Sequence, residues 1–140
     1  MEVTANALQT VRPDSNVVYT NTAVSGCPSI LHREGSGLVT LRGLSNGQCR
    51  ARFRVTFGAN VALPTGAAVE PISLAIAING EPESTATAIS TPAAVGEFNV
   101  VGRSLFLDVP TGCCTQISVE NVGTTDVDVQ NANLIVERVA

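Results

Sequence analysis

Short runs of alternating apolar and polar residues dominate the chain, and glycine, proline, asparagine and serine separate them. Alternation with a period of two is typical of half-buried β-strands, whereas no stretch has the helical period together with caps. About eight to ten short strands are predicted. They fall within 16–24, 37–44, 49–57, 69–83, 84–90, 98–109, 114–122 and 127–139.

The segment CRARFRVTF, residues 49–57, has the cleanest alternation. Successive strand side chains point to opposite faces, so one face is predicted to lie in the core and the other to face solvent or a partner. The core face consists of Cys49, Ala51, Phe53, Val55 and Phe57, and the opposite face carries Arg50, Arg52 and Arg54.

A continuous apolar run from Leu74 to Ile78 predicts a strand that is covered on both faces. In an antiparallel domain the second cover can be a neighbouring subunit, so Leu74, Ile76 and Ile78 are interface candidates. The strand at 127–139 is expected to be paired, and its Leu134 and Val136 are candidates of the same kind. Asn79-Gly80, which follows the apolar run, is the strongest short hairpin signal in the chain.

Many short strands without helices favour a two-sheet antiparallel sandwich or a barrel over an α/β fold. With 140 residues and no break in composition, one domain covering 1–140 is predicted. All eight basic residues are arginine and the net charge is −4, which argues against nucleic-acid binding. No apolar run reaches the length of a membrane span. The N-terminal residues do not resemble a secretory signal, so synthesis in a cytosol is expected.

Three segments carry a resemblance to a known family: ISLAIAINGEPESTATAISTP, FNVVGRSLFLDVPTGCCTQISVEN and VDVQNANLIVERVA. They resemble bacterial and phage versions of the trimeric jelly roll of tumour-necrosis-factor-like and complement-globular-head domains. Related domains are the C-terminal domains of collagen-like exosporium glycoproteins, and others are stand-alone proteins of prophages. The likeness covers residues 69–140.

The resemblance implies a jelly roll of about ten strands that forms a homotrimer and has a structural or adhesive role. It favours a virion protein, such as a capsid decoration or head-fibre component, whose partners are its own copies and another capsid or virion protein. A bacterial surface or spore-coat module and a carbohydrate-binding module are the alternatives. Glycan binding has little support, because the chain has no tryptophan and Tyr19 is its one tyrosine.

Four cysteines leave three chemical states open: buried thiols, disulfides or a metal site. Cys113 and Cys114 are adjacent, and Cys27 and Cys49 do not form a pair with C-x₂₋₄-C spacing, so a four-thiolate zinc site is disfavoured. A bond between neighbouring cysteines requires a strained ring. Buried or half-buried thiols are therefore favoured, and a Cys27–Cys49 bridge, or a bridge to one of the adjacent cysteines, is the main alternative.

The remaining polar groups indicate no catalytic centre, and no cofactor is predicted. His32 is the single histidine, and Ser36 lacks the glycine spacing of a nucleophile elbow. The arginine row has the chemistry to bind phosphate, sialic acid or another acidic group, but pairing across strands or subunits with carboxylates such as Glu120, Asp126 or Asp128 is favoured. Acidic residues at Asp126, Asp128, Glu81 and Glu83 have no EF-hand spacing, so solvated charges are the expectation.

Overall fold

A computed structural model describes residues 1–44, 50–112 and 114–140. Within these ranges the chain forms eleven strands and no helix. The strands are β1 Glu2–Ala5, β2 Gln9–Val11, β3 Asn21–Val24, β4 Ile30–His32, β5 Val39–Arg42, β6 Arg50–Ala62, β7 Ile72–Ile78, β8 Glu81–Ser90, β9 Asn99–Pro110, β10 Cys114–Asn121 and β11 Val127–Arg138. In the ranges described there is accordingly no helix that could cross a membrane.

The strands form two antiparallel sheets. The first sheet has the order β3-β1-β11-β6-β9, and β2 also pairs with β11. The second sheet has the order β4-β5-β10-β7-β8. The all-β, two-sheet jelly roll predicted from the sequence is thereby confirmed, and the strand at the end of the chain lies inside the first sheet, between β1 and β6.

Three short strands had no counterpart among the predicted ones: β1, β2 and β4. Each has only three or four residues, which is too short for alternation to stand out from the surrounding sequence. Conversely, one predicted strand is largely absent: most of 16–24 is irregular, and only its end forms β3.

The predicted Asn79-Gly80 hairpin is present. Both residues have positive φ, 52° and 84°, and they join Ile78 to its cross-strand partner Glu81. This is the geometry of a two-residue turn whose twist matches that of the strands. The Asn79 side chain also ties the turn to β10, because its Oδ1 accepts a hydrogen bond from the Gln116 N–H at 2.9 Å.

A single hydrophobic cluster fills the space between the sheets. The predicted core face of β6 is confirmed for Ala51, Phe53, Val55 and Phe57, all of which are buried. Cys49 lies outside the described residues.

The apolar interface candidates need correction. Leu74, Ile76, Leu134 and Val136 are completely buried in the core of one chain, so they have no surface for a neighbouring subunit. Ile78 is half-buried and packs against the same core. The outward face of β7 carries Ala75 and Ala77, which are small and are buried between their cross-strand neighbours without a second subunit.

Candidate interaction surface

The arginine row lies on the open face of the first sheet, as the alternation predicted. Arg52 makes a bidentate contact with Asp108: Nε donates to Oδ1 at 2.8 Å, and Nη2 donates to Oδ2 at 3.1 Å. Arg50 Nε lies 3.0 Å from Asp108 Oδ2. Arg54 pairs with Glu137. The Arg52 hydrogen bonds, aided by the charge of both arginines, hold the pKa of the Asp108 carboxyl below its usual range.

The predicted partners of these arginines were wrong, and the strand order gives the reason. β6 lies between β9 and β11, so Arg52 is opposite Asp108 and Arg54 is opposite Glu137. Glu120 belongs to the second sheet. Asp128 is in the first sheet but pairs with Ala62, at the opposite end of β6, and Asp126 precedes β11.

Apolar side chains are exposed along one side of the sandwich. β8 and β9 are the outermost strands of their sheets on this side, and their backbones are paired on one edge only. The exposed fractions are 82% for Val100, 69% for Ile89, 63% for Phe106 and 45% for Phe98. We call these four residues the apolar edge.

Two side chains hold the strands of the apolar edge together. Arg103 Nη2 donates to Thr85 O at 3.0 Å, and Asn99 Nδ2 donates to Ser90 Oγ at 3.1 Å. These bonds link β9 of the first sheet to β8 of the second, so the apolar edge is presented by two strands fixed to each other. In the sequence, residues 98–109 carry apolar side chains on both faces, a pattern that by itself indicates burial on both sides and not exposure.

His32 has no unoccupied ring nitrogen. Nε2 lies 3.0 Å from Ser36 O, which can only accept, so Nε2 carries the proton. Nδ1 lies 3.2 Å from Thr22 Oγ1. The ring therefore connects the edge strands β3 and β4 and has a structural role.

The cysteines differ from expectation where they are described. Cys27 and Cys114 are exposed, so the prediction of buried thiols was wrong for both. Cys49 and Cys113 lie outside the described residues. No group of three or more histidine, cysteine, aspartate or glutamate side chains is placed to hold a metal ion within the part of the chain that the structure describes.

Tyr19 is almost completely buried, and burial raises the pKa of its hydroxyl. A sugar-stacking platform requires an exposed ring face, so Tyr19 does not supply one. On the second sheet, burial and the neighbouring charges of Asp14 and Glu81 raise the pKa of Glu120. Asp128 is hydrogen-bonded to Thr10 at 2.8 Å.

No protein-family model matches the sequence, and no curated protein matches it. Among solved structures, the chain is similar to the globular domain of the zebrafish complement 1qA protein, with a TM-score of 0.64 and 12% identity over 96% of this chain and 93% of that one. The fold is the complement-globular-head jelly roll.

Two further structures match less well. One is the EclA C-terminal domain, a sugar-binding protein, with a TM-score of 0.42 and 15% identity over 95% of this chain and 79% of that one. The other is the CBM35 domain of Cellvibrio japonicus Abf62, with a TM-score of 0.38 and 12% identity over 100% of this chain and 98% of that one. At these TM-scores neither likeness bears on function.

Proposed function

We propose that the chain is a non-catalytic structural module that assembles as a homotrimer through the apolar edge. The observation that carries the proposal is the exposure of Ile89 on β8, of Val100 and Phe106 on β9, and of Phe98 just before β9. Ile89 and Val100 line one surface cavity between the two edge strands, and neighbouring exposed apolar side chains of this kind mark sites of association. Threefold closure is what the resemblance of residues 69–140 to trimeric jelly rolls implies.

The energetics of the apolar edge support association. Burying a large apolar side chain that was exposed contributes about 1.5–3 kcal/mol. Because the four residues are 45–82% exposed, they contribute about 4–8 kcal/mol in each copy. This is comparable with the lower part of the cost of lost translational and rotational freedom, which is on the order of 4–15 kcal/mol. An unpaired strand edge with apolar side chains is otherwise prone to non-specific aggregation, so a defined partner at this edge is also favourable for solubility.

The setting we propose for the trimer is the outer surface of a phage virion, as a capsid decoration or head-fibre protein. Its support is the likeness of residues 69–140 to stand-alone prophage relatives of the trimeric jelly roll. A role based on association also agrees with the polar groups of the open sheet face, where the arginine row is matched by carboxylates of the same chain.

The test of the setting is mass spectrometry of fractions from the source strain after prophage induction. Particles are purified by density gradient, and the peptide signal of this chain is compared with that of the major capsid protein in the same fractions. Constant stoichiometry across the particle peak is expected. If the chain is absent from particles and enriched instead in spore coats or cell envelopes, the virion assignment is overturned in favour of the surface-module alternative.

A further inference from the structure

The hairpin formed by β4 and β5 has a cavity of about 350 Å³ on its outer face. Leu31, Thr40 and Gln116 are cross-strand neighbours on β4, β5 and β10, so their side chains lie in one row on that face. The row spans two strand spacings, about 10 Å. Leu38 and Arg33, on either side of the hairpin turn, add a second apolar wall and a cation. We call this site the hairpin cavity.

The turn that carries Arg33 is fixed to the core. The Ser36 N–H donates to Arg33 O at 3.0 Å, and Ser36 O accepts from the buried Tyr19 at its N–H, 3.2 Å away, and from His32 Nε2 at 3.0 Å. Ser36 Oγ accepts from the Leu38 N–H at 3.0 Å. A ligand therefore meets a turn that is already ordered, and the entropic cost of ordering a loop does not reduce its affinity.

The hairpin cavity carries a positive charge, although the whole chain has a net charge of −4. Arg33 is exposed and forms no ion pair with a described residue, and no carboxylate is among the described residues that line the cavity. The carboxyl group of the next residue, Glu34, accepts a hydrogen bond from the Thr22 N–H at 3.3 Å instead. On the open face of the first sheet, by contrast, Asp108 and Glu137 neutralise the arginine row. The hairpin cavity therefore has a cation available for an anionic ligand.

The other lining groups determine the rest of the ligand. Leu31 and Leu38 are 46% and 39% exposed, so an apolar group that covers them gains their burial. The side chains of Thr40 and Gln116 have no hydrogen-bond partner among the described residues, and a carboxamide both donates to and accepts from an amide. Small-molecule sites have volumes of roughly 300–1,000 Å³, and the hairpin cavity is at the lower end of that range. Its groups and size match one amino-acid residue.

We propose that the hairpin cavity binds an apolar amino-acid residue that has an acylated nitrogen and a free carboxylate. Arg33 binds the carboxylate, and Gln116 and Thr40 bind the amide. Leu31 and Leu38 pack against the apolar side chain. The proposal goes beyond the proposed function and does not depend on it, because β4 and β8 are opposite ends of the second sheet and a contact at the apolar edge leaves this cavity open.

The experiment is an NMR titration of the ¹⁵N-labelled chain with N-acetyl-L-leucine at constant pH and ionic strength. Amide shifts within 31–40 and 114–118 are expected, with a dissociation constant on the order of 1 mM for a ligand of this size. N-acetyl-L-leucinamide lacks the charge and should bind about fivefold more weakly, or worse. A spectrum unchanged in these two ranges, or equal affinity for the two ligands, overturns the proposal and leaves the proposed function standing.

Arg33→Gln tests the contact with the carboxylate. It should weaken the binding of N-acetyl-L-leucine about fivefold or more and leave the affinity for N-acetyl-L-leucinamide unchanged. Arg12→Gln is the matched control, because Arg12 is also exposed, forms no ion pair with a described residue and does not line the cavity. Circular dichroism checks that both variants fold. Wild-type affinities in Arg33→Gln, or an equal loss in Arg12→Gln, would overturn the proposed site.

A third ligand tests the contact with the amide. Isocaproate has the carboxylate and the branched chain of N-acetyl-L-leucine but no amide, so it should bind about twofold to fivefold more weakly. Gln116→Ala should remove that difference. Equal binding of the two acids by the wild type would overturn the role of Gln116.

A fourth ligand distinguishes the two sources of such a residue. The peptide Ala-Ala-Leu, acetylated at its N-terminus, presents the same terminal residue at the end of a chain. Binding tighter than that of N-acetyl-L-leucine would support the proposal with a peptide C-terminus as the ligand, and equal binding would support it with a free N-acyl amino acid. A peptide that does not bind, beside an N-acetyl-L-leucine that does, would overturn the peptide C-terminus as a source.

Discussion

Truncating Val100 to alanine should weaken assembly strongly while leaving the folded monomer unchanged. Val100 is 82% exposed in the single chain, so the substitution leaves no cavity in the core. At an interface it removes two carbon atoms from a buried contact, about 1.6 kcal/mol at roughly 0.8 kcal/mol for each CH₂. A closed ring of three has three such contacts. The total of about 5 kcal/mol corresponds to an increase on the order of 10³-fold in the monomer–trimer dissociation constant.

The assay is sedimentation velocity over a dilution series, paired with urea unfolding of the dissociated chain. Leu31→Ala is the matched control, because Leu31 is 46% exposed on β4, at the opposite edge of the second sheet. The control should retain the wild-type dissociation constant. A Val100→Ala variant with the wild-type constant would refute the assignment of the apolar edge to the interface, and an equal loss in Leu31→Ala would show that the effect is not specific to that edge.

Two further predictions concern the stability of the single chain. Asn121 is completely buried, and its side chain donates to Val11 O at 3.0 Å and Thr125 O at 2.9 Å and accepts from the Gly123 N–H at 3.0 Å. Asn121→Ala should lower the free energy of unfolding, measured in urea, by about 2–4 kcal/mol, because these backbone groups lose their partners. A loss under about 0.5 kcal/mol would contradict the role of these bonds. The pKa of Asp108 is lowered in the folded chain, so its stabilisation is present above the unfolded-state pKa, near 4, and is lost as the pH falls through the folded-state value. In Asp108→Asn the free energy of unfolding should therefore fall less steeply as the pH is lowered below about pH 4 than it does in the wild type. The same pH dependence in both proteins would contradict the pairing with Arg52.

The fold class could be predicted because strand alternation is a local property. Residues 50–57 show this most clearly, since each predicted inward side chain in that range is buried and each arginine is at the surface. The Asn79-Gly80 turn was predictable for the same reason, because two residues with positive φ are sufficient to define it.

The partners of the arginines were not predictable, because they depend on strand order. Nothing local to β6 determines that β9 lies beside it, and Asp108 is 56 residues from Arg52 along the chain. The prediction for the apolar run at Leu74–Ile78 was wrong for the same reason, because strand order determines what covers its outward face. Its inward residues complete the core of the single chain, and its outward residues are alanines that neighbouring strands bury. A run covered on both faces therefore did not require a neighbouring subunit.

The apolar edge was missed for a related reason. Val100 and Phe106 lie on a strand whose other face is also apolar, and such a strand predicts burial on both sides. Only the sheet topology places β9 at an edge and leaves these side chains in solvent.

The most direct test of the account is the native mass of the purified chain by light scattering, with and without reductant. A mass three times 14.4 kDa in both conditions is the predicted result, because the apolar edge and not a disulfide joins the copies. A trimer lost on reduction would contradict that mechanism and assign the contact to the cysteines. A stable monomer of 14.4 kDa at high concentration would contradict the central claim itself.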